Sequence, residues 1–204
     1  TLAQQSTYYI KFWPSLPEMP LIVPIVASII VGIISGVVTG LIISKLKVPA
    51  FLAGLGLQLI IYGGNLLFMK KAPNNSQPLA GFKESFTKFG TGSVAGVNYL
   101  IIVAFVVMIA VYIILNMTTL GKNIYATGGN REAAKVAGIN VFKIDMFVYI
   151  LSGALAALAG CMLAARTGSA NATYAEGYEM DAIASCIIGG ASFTGGIGNV
   201  PGAF

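Results

Sequence analysis

YLIIVAFVVMIAVYIILNM (Tyr99–Met117), followed almost at once by GKNIYATGGNREAAKVAGINV (Gly121–Val141), decides the fold. The first stretch is apolar throughout and close to the roughly 20 residues that a helix needs to cross a hydrocarbon core. The second is polar and encodes a helix of its own. Asn130 is a good N-cap, since its side-chain oxygen can accept from the free N–H groups of a first turn. Arg131 to Ala137 are mostly strong helix formers, with Glu132 near the positive end of the dipole and Lys135 near the negative end. Gly138 supplies the left-handed residue that stops the helix. A helix of about two turns is unstable alone, and this one has too little apolar surface for a core. It reads as a docking site for another protein.

Working outward, three further runs have the length and polarity of membrane spans: Leu21–Ile43, Pro49–Met69 and Met146–Ala165. A fifth segment, Ala182–Phe204, starts as an apolar helix (AIASCIIGG) and then breaks into SFTGGIGNVPG. Residues 1–19 carry Tyr8, Tyr9, Phe12 and Trp13, the composition of an interfacial aromatic belt or of an extracytoplasmic loop. The expected fold is therefore an all-α polytopic membrane protein. It has four transmembrane helices plus a glycine-rich broken fifth segment, within a membrane domain covering 20–204. Thr1 is not a natural start and Phe204 follows no polar tail, so the chain reads as an internal piece of a larger protein.

Composition agrees with the spans. The chain is 56% hydrophobic and 9% charged, whereas soluble domains carry roughly 25% charged residues. The net charge of +5 is spread over the loops with no dense basic run, so nucleic acid is not an expected partner. Lysines and arginines divide equally between the two sides of a four-span arrangement. Lys45 and Lys47, however, fill the five-residue loop Ser44–Val48, and short loops dominate orientation. That places the same-side segment 118–144 in the cytoplasm.

Within the spans, Gly32, Gly36 and Gly40 recur every fourth residue and form a stripe suited to close helix packing. Gln58 and Asn65 are polar at membrane depth, where such groups face other helices or a water-filled cavity. In the fifth segment Asp181 is positioned to cap a helix starting at Ala182. Gly189 and Gly190, with Ser192 and the glycines beyond, make continuous helix costly there. Non-helical backbone at that depth is tolerated only where it is buried in protein or lines a cavity. The same residues also read as a loop outside the membrane.

The chemistry missing from the sequence is equally informative. There is no histidine, the commonest acid–base residue and metal ligand. The seven carboxylates lie in loops or at span ends, so neither a catalytic pair nor a proton relay is expected inside the membrane. Cys161 and Cys186 lie in apolar segments without ligand spacing and read as small buried hydrophobes. No GxxxxGK[ST] phosphate loop is present. A transport subunit is expected rather than an enzyme, with no cofactor or metal of its own.

Three motifs together resemble the permease subunits of ABC importers for monosaccharides, of the ribose, xylose and galactoside type. They are KVPAFLAGLGLQLIIYGG (Lys47–Gly64), GKNIYATGGNREAAKVAGINV (Gly121–Val141) and GYEMDAIASCIIGGASFTGGIGNVPGAF (Gly177–Phe204). The second motif and the YEMDAIASC run look closest to the galactose/methyl-galactoside permeases. The resemblance implies a bacterial inner-membrane protein that is part of a larger permease. It implies a second permease copy, a separate ATPase subunit holding ATP and Mg, and an extracytoplasmic sugar-binding protein. Asn130, Arg131, Glu132, Ala133, Ala134, Lys135 and Gly138 would then form the helix that couples to the ATPase. The loop Lys70–Asn98, with Pro73, Asn74, Asn75 and Pro78, would face the binding protein. Importers of nucleosides, autoinducer sugars or branched-chain amino acids with the same architecture share the pattern, and a secondary transporter lacking an ATPase remains the reading from another class.

Overall fold

The computed structural model describes residues 20–71, 76–94, 96–192 and 194–203. The aromatic segment expected over 1–19, and Pro73, Asn74 and Asn75 of the following loop, lie outside the described residues. The elements, in chain order, are α1 (Ile22–Leu46), α2 (Ala50–Lys70), α3 (Glu84–Thr91), β1 (Ser93–Val94), β2 (Val97–Asn98), α4 (Tyr99–Tyr112), a π-helical turn (Ile113–Met117), α5 (Thr119–Gly129), α6 (Arg131–Val136), α7 (Val141–Thr167), α8 (Tyr178–Ile188) and α9 (Val200–Ala203). Four of these are long and apolar enough to cross a membrane: α1, α2, α4 with its π turn, and α7. Large apolar side chains along them, such as Val31, Leu59, Phe105 and Val106, are exposed. That is the reverse of a soluble protein and suits a surface solvated by lipid.

The chain forms two compact units, one of Thr1–Leu100 with Tyr149–Tyr174 and one of Ile101–Val148 with Ala175–Phe204. In the first, α1 ends at Lys47 in the left-handed conformation (φ 55°), and Pro49 opens α2 immediately afterwards. The two helices pack on each other. Gly32 and Gly36 lie where α7 crosses α1: a Cβ on Gly32 would overlap the Gly153 carbonyl and Ala157, and one on Gly36 the Tyr149 carbonyl. Gly153 meets the Gly32 carbonyl in return. Gly40 is buried further along the same helix. Three hydroxyls of α1 are satisfied inside the helix, Ser28 donating to the Ile25 carbonyl at 2.7 Å, Ser35 to that of Gly32 at 2.8 Å and Thr39 to that of Ser35 at 2.9 Å. This is how a polar side chain survives in hydrocarbon.

The far end of α7 carries a small cap. Phe82 and Phe86 pack edge to face, centroids 5.3 Å apart, over the fully buried Ala165. Leu79 and Ala170 exchange two backbone hydrogen bonds of 2.8 Å. On the exposed side of α3, Lys88 donates to Glu84 at 2.8 Å. That hydrogen bond, with the attraction of the ammonium, holds the Glu84 carboxyl below the usual carboxylate range and raises Lys88.

In the second unit, α4 widens into the π turn before it stops. Two side chains serve carbonyls there: Asn116 donates to Tyr112 at 3.2 Å and Thr118 to Ile114 at 2.6 Å. Thr118 itself is extended, and its hydroxyl accepts from Gly121 N–H at 3.3 Å, which starts α5. Gly121 lies against the Leu115 backbone, so the chain reverses tightly. The polar segment therefore holds two helices, α5 and α6, where the sequence suggested one.

Two expected boundaries move. The fourth span begins at Val141 rather than Met146, because Lys143 and Asp145 are accommodated in its first turns. The helix of the last segment begins at Tyr178, not Ala182. Gly177 (φ 90°) turns the chain into it, and Gly177 N–H donates to the Glu179 carboxylate at 3.1 Å. Asp181 is thus inside the first turn and makes no cap.

Candidate docking segment and pathway residues

α6 is short enough that its two ends determine whether it forms. At the N-terminus Asn130 adopts extended backbone angles (φ −153°, ψ 105°) and its Oδ1 accepts from Glu132 N–H and Ala133 N–H, both at 3.0 Å. At the C-terminus Gly138 is left-handed (φ 81°). Gly138 N–H donates to the Lys135 carbonyl and Ile139 N–H to that of Ala134, each at 3.0 Å. Those two bonds together make the glycine-terminated stop that satisfies the last carbonyls. Asn140 then caps α7, accepting from Lys143 N–H at 3.1 Å.

The side chains of α6 divide into two sets. Arg131 reaches back to α7, its guanidinium 2.8 Å from Asp145 Oδ1, and Ala134 is 3% exposed. Both therefore serve the chain's own packing. Glu132, Ala133, Lys135, Val136, Ala137 and Gly138 are exposed. Lys135 pairs with Glu132 at 2.7 Å on that surface. Val136 is 90% exposed, the most exposed large apolar side chain described. It escaped the sequence reading. The signal was its offset of two positions from Ala134, roughly 200° around a helix, so an inward Ala134 forces Val136 outward.

α5 attaches the same segment to the loop after α8. A Cβ on Gly128 would collide with Gly196 N, and one on Gly196 with Gly129 Cα. Gly195 and Gly196 are both left-handed (φ 88° and 76°), so this approach of backbone to backbone needs glycine on conformational as well as steric grounds. Tyr125 donates to the Gly198 carbonyl at 3.3 Å. Thr127, between them, is buried with its hydroxyl unpartnered among the described residues.

The residues proposed for a pathway fall into two places. Gln58 and Asn65 are seven apart on α2 and hence share a face; both are exposed. In the second unit Asp181 is exposed in α8, and Ser185 donates to its carbonyl at 2.8 Å. Gly189 closes on the Gly202 backbone, and Gly190 is left-handed (φ 93°). Ser192 is tied into the loop: its N–H donates to the Ile197 carbonyl at 3.0 Å and its hydroxyl lies 2.8 Å from that of Thr194. No group of three potential metal ligands occurs among the described residues.

A family model described as "Branched-chain amino acid transport system / permease component" matches residues 3–204. Over 206 residues the chain is 39% identical to the galactose/methyl galactoside import permease protein MglC of Escherichia coli K12, covering 99% of this chain and 61% of that protein. The corresponding permease of Haemophilus influenzae is 38% identical over the same share. The ribose import permease protein RbsC of Escherichia coli K12 is 41% identical over 164 residues, 79% of this chain and 50% of the relative. The chain thus spans about three fifths of the length of the galactoside permeases it matches. No solved structure matches. With four helices among the described residues long and apolar enough to cross a membrane, and a match along almost its whole length, the chain belongs to this family of transport permeases, a transport family and not a catalytic one, as a multi-pass membrane protein.

Proposed function

We propose that the chain is the membrane-spanning part of an ATP-driven importer that moves a monosaccharide, of the galactose/methyl-galactoside or ribose kind, across the bacterial inner membrane. The observation that carries this is α6, a helix capped at both ends that presents Val136 and the Glu132–Lys135 pair outward. A helix so short, held so firmly and facing outward, suits docking into a cleft of a partner. The partner is an ATPase subunit that holds ATP and Mg. A second copy of the permease completes the pathway, and an extracytoplasmic binding protein delivers the sugar.

Segment 118–144 is then the cytoplasmic coupling loop within the 20–204 domain, and 1–19 lies outside the cytoplasm. Asn130 and Gly138 set the ends of the coupling helix, and Glu132, Ala133, Lys135 and Val136 meet the ATPase. Gln58 and Asn65 supply neutral hydrogen-bonding groups to a neutral, hydroxyl-rich cargo. The fifth segment is a broken membrane element. At 1.5 Å per residue α8 is about 16 Å long, roughly half the hydrocarbon core, and the described non-helical backbone of 189–192 and 194–199 would line the cavity with Asp181 and Ser192. Import of branched-chain amino acids is the second reading, favoured by the description of the family model. A zwitterion wants charge or helix ends at its site, and the middles of the four spans hold no charged residue.

The test is a mild-detergent pull-down of the intact tagged protein from its host, with co-purifying chains identified by mass spectrometry. An ATPase carrying a phosphate loop is expected, with a sugar-binding protein beside it. A permease that comes alone, with sugar uptake surviving ATP depletion, would overturn the proposal in favour of a secondary transporter. A finer check reverses the exposed pair, Glu132→Arg with Lys135→Glu. The ion pair within the helix is retained, so the protein stays in the membrane, while uptake of labelled sugar falls at least about tenfold.

A further inference from the structure

The proposed docking helix must pass its displacement to the spans, and the geometry of its first residue bears on how. Arg131 opens α6 and its guanidinium donates to Asp145 at 2.8 Å. The two side chains differ sharply in exposure, 52% for Arg131 and 9% for Asp145. Asp145 lies in the second turn of α7, flanked by the buried Val141 and Ile144. A partner protein therefore cannot reach it, whereas the arginine can.

A carboxylate this deeply placed is costly unless it is paired. Pairing it through a planar guanidinium fixes direction as well as distance. Asp145 thus sets the position of Arg131, and Arg131 sets the position of the first turn of α6. The covalent link between α6 and α7, Ala137 to Asn140, bends at the left-handed Gly138. The ion pair bridges that bend and ties the two helices outside the chain connection.

Resting on the proposed ATPase-driven function, we infer that Asp145 and Arg131 form the strut that transmits movement of the docking helix to α7. Asp145 is a positioning residue, and Arg131 acts toward its own chain and not as a charge offered to the ATPase. α7 continues from this joint as one helix to Thr167. Loss of the strut leaves docking intact and loosens what docking moves.

The test uses the intact permease with its co-purifying ATPase and binding protein, reconstituted in liposomes. Four forms are compared: wild type, Arg131→Gln, Asp145→Asn, and the exchange Arg131→Asp with Asp145→Arg. Two quantities are read, the ATPase pulled down per permease and the sugar transported per ATP hydrolysed. Both single variants are expected to hold wild-type amounts of ATPase while transport per ATP falls roughly tenfold. Recovery in the exchanged variant adds support. Should that variant fail to insert, the single variants still decide, since Arg131 is largely exposed and Asp145→Asn conserves shape.

Wild-type transport per ATP in both single variants overturns the strut. So does loss of ATPase from Arg131→Gln but not from Asp145→Asn, because Arg131 would then act at the interface. A wild-type permease that brings down no ATPase overturns the functional reading itself, and the strut with it.

Discussion

Gly153→Leu is expected to remove most of the folded protein, with a loss of about 3 kcal/mol or more. The position leaves no room: any side chain there meets the Gly32 carbonyl and the backbone of Gly36. Neither can yield, since both belong to helix α1 at its contact with α7. Gly160 on the same helix is the internal control, because a Cβ there meets nothing within 4 Å. Size-exclusion profiles in mild detergent read the difference. Gly153→Leu should give aggregate and little monodisperse peak, and Gly160→Leu a profile like wild type. Equal profiles would mean that α1 and α7 do not meet at Gly32, Gly36 and Gly153.

The second large effect is functional. Val136→Asp should leave the protein in the membrane at normal amounts, because a side chain 90% exposed holds nothing of its own chain together. Uptake should fall by more than roughly thirtyfold, the scale of burying an unpaired charge at the centre of an interface. Val136→Ala, which shortens the contact without charging it, should lose much less. Labelled-sugar uptake in cells, normalised to permease in the membrane fraction, decides. Undiminished uptake by Val136→Asp would show that docking does not use this face of α6.

The spans were legible because their signal is thermodynamic and coarse: apolar runs of span length give little choice. Their ends were less so. By type Lys143 and Asp145 read as loop residues, and hydropathy starts the fourth span at Met146. Hydropathy cannot register that Arg131, fourteen positions earlier, neutralises Asp145. Asn130 and Gly138 were legible because caps are local chemistry, written in adjacent residues. Asp181 misled for the same reason. It is a good cap by type, but Gly177 supplied the turn first and α8 began above it. α5 was hidden because it depends on the π turn and on the closeness of Gly121 to Leu115, neither of which leaves a periodic trace. The outward face of α6, Val136 included, follows only once it is known that Ala134 is turned in.

Glycine does two different things in the first unit. On α1, Gly32 and Gly36 give up side chains for intimate contact with α7. On α2, Gly54, Gly56, Gly63 and Gly64 would each accept a Cβ with no atom within 4 Å. Relative to alanine those four forgo roughly 3–4 kcal/mol of helix propensity, and no neighbour in the described chain offsets it. At those four positions the helix is held by its own hydrogen bonds, and its packing on α1 is made elsewhere along its length. α2, joined through Lys47–Pro49 to α1, therefore has open room for close approach at each of these glycines, and Gly54 lies within about 40° of Gln58 and Asn65 around the helix.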